Sequence, residues 1–456
     1  MAVNTCDHNT LSFLSSAFAS QAGYKRPSTQ EREEAATLQP VLKGKLKRAT
    51  PSDEDTGPFC EPLLLPGDDL AEDPEYPPQT ILEWLDDADR NKVKPGRNTI
   101  YVAAPPAVDS KISFVKSWSE PKHAESISIE APDVQDIVDY LGAFYHGMPV
   151  KLLPGSLRLA PWDGKATKTP RYIGLNTATE CVGIRTRASK DGVFARQLNL
   201  NDLLDAAISI LPKDAFALLL LVPFDIYEVP EDDFACGRAY GGSRVAVIST
   251  ARYHPGLDRH QNVDRLHSWP ASHCKQYMDA CCLESDSFDN ARPKKKVSKK
   301  VSEPTPAPAE SASLAYATLS PLHAAVTAYN ALPSLEESPS SATLSALWLG
   351  RACRTAAHEL GHCLGIDHCT FYACCMQGTA SLGEDARQPP FLCPVDLAKM
   401  LHASGVGKEA RYRAILGFCG KHPHNHLLTA YAAWISAQLS ENPAKRAKSL
   451  ADQEVS

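Results

Sequence analysis

The sequence predicts an α/β sandwich with a mixed sheet. An apolar run, Ala215 to Val222 (AFALLLLV), is bounded by Pro212 and Pro223 and reads as a strand buried on both faces. Segments with helical spacing precede it, and a second β-rich run, Val245 to Thr250, follows. The order helix, strand, helix, strand, strand fits helices packed on a sheet.

Residues 1–75 are rich in Ser, Pro and charge, show no sustained period, and are expected to be disordered. Order is expected weakly from Ile81 and firmly from Ala131. Pro132 and Asp133 open a helix carrying Val134, Ile137, Val138, Leu141 and Phe144 on one face, and Gly147 ends it. Val150 to Leu153, Tyr172 to Leu175 and Gly183 to Arg187 read as strands. Asn201 is the expected cap of a helix through Ile210. The Lys- and Pro-rich stretch 285–312 cannot supply a core and reads as a disordered insertion. Helical sequence resumes near Leu314 and again from Thr343. Further helices are expected at Pro394 to His402, Glu409 to Gly417 and Leu427 to Leu439, then a polar tail, 440–456. The folded domain is thus set at 76–439.

The 456 residues carry 47 Lys and Arg against 54 Asp and Glu, a formal charge of −7. A dedicated nucleic-acid binder would be basic, so no nucleic-acid partner is expected. The longest apolar run is far shorter than the ~20 residues that a bilayer core requires, so no membrane association is expected. The N-terminus lacks a basic n-region and an apolar core, which argues against a secretory signal. The 14 cysteines are then expected as reduced thiols or metal ligands in an intracellular setting. Two basic runs, Lys43 to Arg48 and Lys294 to Lys300, read first as solvated charge and second as nuclear-import addresses.

The segment His358-Glu-Leu-Gly-His362-Cys-Leu-Gly365-Ile-Asp-His368 carries the chemistry. Its Ala-, Leu- and Arg-rich flank is helical in character, which stacks His358 and His362 one turn apart to face one metal ion. Gly365 can turn the chain through a left-handed conformation so that His368 returns as a third ligand. Three imidazoles leave a fourth zinc position for water, and Glu359 beside them can take a proton from it. Glu359 is therefore the candidate catalytic base.

These residues resemble the metzincin clan of zinc peptidases, whose extended motif is H-E-x-x-H-x-x-G-x-x-H. The continuation, with Cys369, Cys374 and Met376, then Cys393-Pro394, is similar to the archaemetzincin family from about Pro132 to Leu401. The resemblance implies a zinc peptidase acting on peptides or proteins. It also implies a metzincin-like sandwich with a mostly parallel sheet, a zinc-binding helix and a small helical C-terminal subdomain. Met376 would underlie the catalytic zinc, and a second, structural zinc would be held by four cysteines. The fourth would fall at 396, where this chain has Asp396. Zinc accepts carboxylate oxygen beside thiolate, so Cys369, Cys374, Cys393 and Asp396 remain a chemically reasonable set. Cys375 is a poor substitute, because adjacent residues seldom face one ion, and Cys419, His422 and His424 read first as surface residues.

Weaker candidates complete the inventory. Cys274, Cys281, Cys282 and His273 read as core or interface residues before a metal site. Cys363 reads as packing. Cys6 or Cys60 could plug the catalytic zinc, though nothing in their context supports it. Val245 to Thr250 is the expected sheet edge for substrate, with Gly237, Gly241 and Gly242 allowing close approach. Arg238 and Arg244 are candidate groove residues, and Tyr240 a candidate oxyanion stabiliser. The alternatives to a general metallopeptidase are an aminopeptidase restricted to short peptides and a non-catalytic zinc-dependent interaction module.

Overall fold

The computed structural model describes residues 6, 8, 10–38, 59–122, 128–164, 167–289 and 320–440, with only the backbone of 284–289. Eleven strands are present among the described residues: β1 (Thr99–Ala103), β2 (Ala107–Val108), β3 (Val150–Leu152), β4 (Arg158–Pro161), β5 (Tyr172–Asn176), β6 (Cys181–Ala188), β7 (Arg196–Asn199), β8 (Ala215–Val222), β9 (Ile226–Tyr227), β10 (Gly237–Tyr240) and β11 (Val245–Ser249). They form two mixed sheets. The first has the order β10-β11-β8-β1-β3, parallel throughout except for antiparallel β10 at the edge. Every residue of β8 is buried. Its Phe216, Leu219 and Leu221 join one core and its Leu218, Leu220 and Val222 another. Both faces of this strand are covered, which is why the run is continuously apolar.

On one face lie the helices Val134–Phe144 and Ser341–Cys363; on the other lies Leu200–Ser209. Asp133 caps the first helix through the Gln135 amide. The cap of Leu200–Ser209 is Asn199, not Asn201: its side chain accepts from the Asp202 amide, and β7 delivers it there directly. C-terminal helices Pro394–Ser404, Lys408–Cys419 and His426–Ser440 form the helical region, and Pro321–Asn330 packs against the last of them.

Two expectations are corrected. The sequence pointed to one sheet, but a second, β2-β4-β5-β6-β7-β9, is largely antiparallel and shares a core with β8 and β11. The expected strands Tyr172 to Leu175 and Gly183 to Arg187 fall in β5 and β6, but nothing within either segment shows that they pair in a sheet of their own. Residues 10–38 and 59–75, expected as disordered, contain packed helices at Ala19–Ala22, Thr29–Ala35 and Asp69–Glu72. Phe59 stacks edge-on against Phe391 and Trp434, and Leu64 and Leu65 are buried. Helices of four to seven residues leave too few turns for a period to be read. Residues 285–289 prolong the helix Lys275–Asp289. The basic runs 43–48 and 294–300, the rest of the insertion call and the tail beyond Ser440 lie outside the described residues.

Candidate metal and peptide site

The helix Ser341–Cys363 starts where Ser340 accepts from the Thr343 amide, and it runs through the core with almost all of its second half buried. Ala352, Ala356 and Ala357 keep that passage narrow. The helix ends in a Schellman turn: the Ile366 amide donates to the Gly361 carbonyl and the Gly365 amide to the His362 carbonyl, with Gly365 at φ +77°. The predicted reversal is therefore present, and His368 comes back toward the helix.

The structure brings His358, His362 and His368 together, their donor nitrogens all within 4.8 Å of one another. His358 Nδ1–H donates to the Cys375 carbonyl and His362 Nδ1–H to the Ile366 carbonyl, each at 2.7 Å. Those carbonyls can only accept, so both Nε2 atoms carry bare lone pairs, and they face each other at 3.1 Å. Two such lone pairs repel unless a cation lies between them, which fits a zinc ion. Burial holds all three imidazoles below their usual range, His362 at about 4, so they are neutral and ready to ligate. Met376 is buried, its side chain filling the space left by Gly361.

Glu359 is buried beside this triad, and burial pushes its carboxyl up to about 8, with Arg238 opposing. A cavity of about 690 Å³ opens over the three histidines and Glu359, bordered by Gly237, Arg238 and Asn91. The edge strand along it is β10. Val245 to Thr250 is not the edge: β11 is enclosed between β8 and β10. A Cβ on Gly237 would stand 2.9 Å from Glu359 Oε1, so a larger residue would make the carboxylate or the strand shift. Gly241 likewise passes against the His362 carbonyl, whereas Gly242 has open space. Arg238 faces the cavity and pairs with Glu228 at 3.1 Å. Arg244 instead donates to the Ala215 carbonyl, and the Tyr240 hydroxyl to Asn201, so neither serves the cavity.

Sequence reading missed what the segment before Thr99 contributes. Trp84 Nε1–H donates to the Leu364 carbonyl, and Gln79 Nε2–H to that of Gly365. Arg90 packs beneath Gly365, and the Tyr76 ring lies 5.7 Å from that of His368. A readable signal existed: Ser28/Glu31 and Thr80/Glu83 are complete capping boxes.

Cys369, Cys374, Cys393 and Asp396 form a second group, all buried, with donor atoms within 4.8 Å of one another. Cys369 and Cys393 sulfurs are 3.5 Å apart, and Asp396 Oδ2 is 3.3 Å from Cys374 Sγ. Cys393 caps the helix Pro394–Ser404, which places Asp396 in its first turn. Asp396 Oδ1 accepts from Lys399 Nζ at 2.9 Å. Burial and then the Cys369 sulfur push Asp396 up to about 7, a cost that a cation among these donors would relieve. Cys375 is not part of this group: its carbonyl serves His358 and its sulfur faces the Arg354 carbonyl.

The remaining candidates sit elsewhere. Cys419 is buried, against the surface expectation, and His422 packs on Phe418. Cys363 is buried and its thiol pushed up by burial, as packing requires. Cys281 and Cys282 pack around Met278, and His273 Nε2 contacts the Glu61 carbonyl. Cys60 is buried with its carbonyl on the Ala373 amide, and Cys6 lies against Cys274; neither joins the three histidines.

Comparison with known proteins bears on the same residues. The model of a family described as Peptidase family M54 matches residues 323–401. Archaemetzincin-2 of Pongo abelii is 24% identical over 366 residues, covering 80% of this chain and 75% of that protein. Archaemetzincin-1 of Homo sapiens is 41% identical over 71 residues, 16% of this chain and 14% of that one. The crystal structure of archaemetzincin from Methanopyrus kandleri aligns with a TM-score of 0.29 at 16% identity, covering 67% of this chain and 94% of that chain.

Proposed function

Because this chain belongs to the archaemetzincin family of zinc metallopeptidases, we propose that it cleaves peptide bonds with Glu359 as general base and His358, His362 and His368 as ligands of the catalytic zinc. The facing lone pairs of His358 and His362 next to a buried carboxylate, beneath an open cavity, carry this reading. A zinc ion bound there supplies Lewis-acid polarisation of a scissile carbonyl and of a water. Glu359 takes a proton from the attacking water and passes it to the leaving amine; its raised carboxyl suits a group that must both accept and return a proton near neutrality. The edge strand β10 offers backbone groups to an extended peptide, which fixes the scissile bond over Glu359. Met376 keeps the floor of the site apolar.

We further assign Cys369, Cys374, Cys393 and Asp396 to a second, structural zinc, on the strength of four buried, mutually close donors. Its carboxylate ligand should make it weaker than an all-thiolate site.

Glu359→Gln tests the first reading. Peptide cleavage that is stopped by a chelator and restored by zinc should fall by about 10²–10⁴ in the variant, with zinc content unchanged. Full turnover in Glu359→Gln would remove this carboxylate from the mechanism. Absence of cleavage in the zinc-replete wild type would leave the interaction-module reading. An N-terminally blocked peptide separates endopeptidase from aminopeptidase action: only the former cleaves it.

A further inference from the structure

A third group of metal-binding side chains lies away from both sites. Residues 10–12 pair with 273–275: the Ser12 amide donates to the His273 carbonyl and the Lys275 amide to the Thr10 carbonyl, with Leu11 bridged to Cys274. This pairing carries the start of the described chain onto the Asp264–Tyr277 region. There the donor atoms of Cys6, His8 and His267 come within 4.8 Å of one another. Cys274 Sγ lies 2.6 Å from Cys6 Sγ but outside that mutually close set.

His267 is held as a metal ligand would be. Its Nδ1–H donates to Asp264 Oδ2 at 2.7 Å, while Asp264 Oδ1 accepts the Leu266 and His267 amides. The ring is stacked on Tyr277 at 4.1 Å and 5°. Its Nε2 is buried with no hydrogen-bond partner. A carboxylate that orients a histidine whose other nitrogen has nothing to bind is the outer-shell arrangement of a metal site. The His8 ring stands 5.2 Å away, edge-on.

We propose that Cys6, His8 and His267, joined by Cys274 as its sulfur parts from that of Cys6, bind a structural zinc ion that pins the N-terminal segment to the domain. Two thiols would release their protons to solvent, and two thiolates with two neutral imidazoles balance the charge of Zn²⁺. Ligands of one tetrahedral zinc put two sulfurs about 3.8 Å apart, so Cys6 and Cys274 separate by about 1 Å on loading. A Cys6–Cys274 disulfide would account for the sulfur contact but not for the approach of two imidazole donor atoms to Cys6.

The test uses the full chain, zinc-replete and reduced. Total zinc in His8→Ala and in Cys6→Ser should be one equivalent below wild type, while peptide cleavage is retained in both. In wild type, Cys6, the more accessible of the two thiols, should resist alkylation when zinc-loaded and react once a chelator is added; this arm stands even if a variant misfolds. Unchanged zinc in both variants, equal alkylation with and without chelator, or a linked Cys6–Cys274 peptide in a non-reducing map would each overturn the proposal. Loss of cleavage in wild type would instead count against the peptidase reading and leave the metal count untouched.

Discussion

The indole N–H of Trp84 donates to the carbonyl of Leu364 at 2.9 Å, joining the segment before β1 to the turn that carries His368 back to the helix. Trp84 is fully buried, and Arg90 lies over its ring, 3.8 Å from the centroid. Trp84→Phe keeps most of the apolar contact but leaves the Leu364 carbonyl without this partner. It should cost about 1–3 kcal/mol, read as a lower midpoint in urea. Peptide cleavage should also fall, because the turn then holds His368 less firmly. An unchanged midpoint would show the contact to be dispensable.

Gly237 and Glu359 set the height of the edge strand β10 above the carboxylate proposed as general base. A Cβ at 237 would also meet Ile248 Cγ2 at 3.1 Å, on the strand that supports β10. Gly237→Ala should therefore displace the carboxylate or lift the strand. The expected result is a loss of roughly 10–100-fold in kcat with zinc content unchanged; kinetics and metal analysis together check it.

The Asp396 carboxylate meets Cys374 Sγ through one oxygen and Lys399 through the other. Lys399 is buried, so Asp396→Ala removes a ligand and also strands a charge. It should release one zinc and cost about 3–5 kcal/mol. Asp396→Cys should keep the zinc, because thiolate is a good ligand. Metal stoichiometry and thermal unfolding of the two variants decide between this assignment and an ordinary buried ion pair.

Acid stability should depend on Asp191. Burial alone would raise its carboxyl, but hydrogen bonds from Arg252, Ser189 and the Val193 amide outweigh that and hold it at about 2. A folded-state value below the unfolded one means that its stabilisation is fully present above about pH 4 and is lost as pH falls toward 2. The difference corresponds to roughly 2 kcal/mol, reduced somewhat because the side chain is 26% exposed. Asp225, fully buried on the same guanidinium, is pushed the opposite way by burial, so the loss on acidification is assigned to Asp191. Asp191→Asn should be less stable at pH 6, and the gap to wild type should close toward pH 2 in urea titrations.

Much of the first sheet and the convergence of the three histidines were legible because their signals are local. The β8 run had its bounds in the chain, the histidine spacing put two rings on one helical face, and Gly365 marked the turn. The strand β1 was missed although it pairs with β8 and β3, because TIYVA is buried at every position and so shows no alternation of apolar and polar residues. The edge assignment failed for a related reason: β10 and β11 are both short, and nothing within either shows which one the other covers.

The covalent spacing of His358, His362, Gly365 and His368 was enough to specify a three-imidazole site, because an α-helix and one left-handed residue fix that geometry with few degrees of freedom. Which segments would close around it could not be read that way. The packing of Trp84 and Gln79 on the turn, the passage of Gly237 over Glu359, and the meeting of Cys6 with Cys274 join residues far apart in the chain. Such contacts are settled only when the burial of many side chains at once selects a single arrangement, and that is a property of the folded whole.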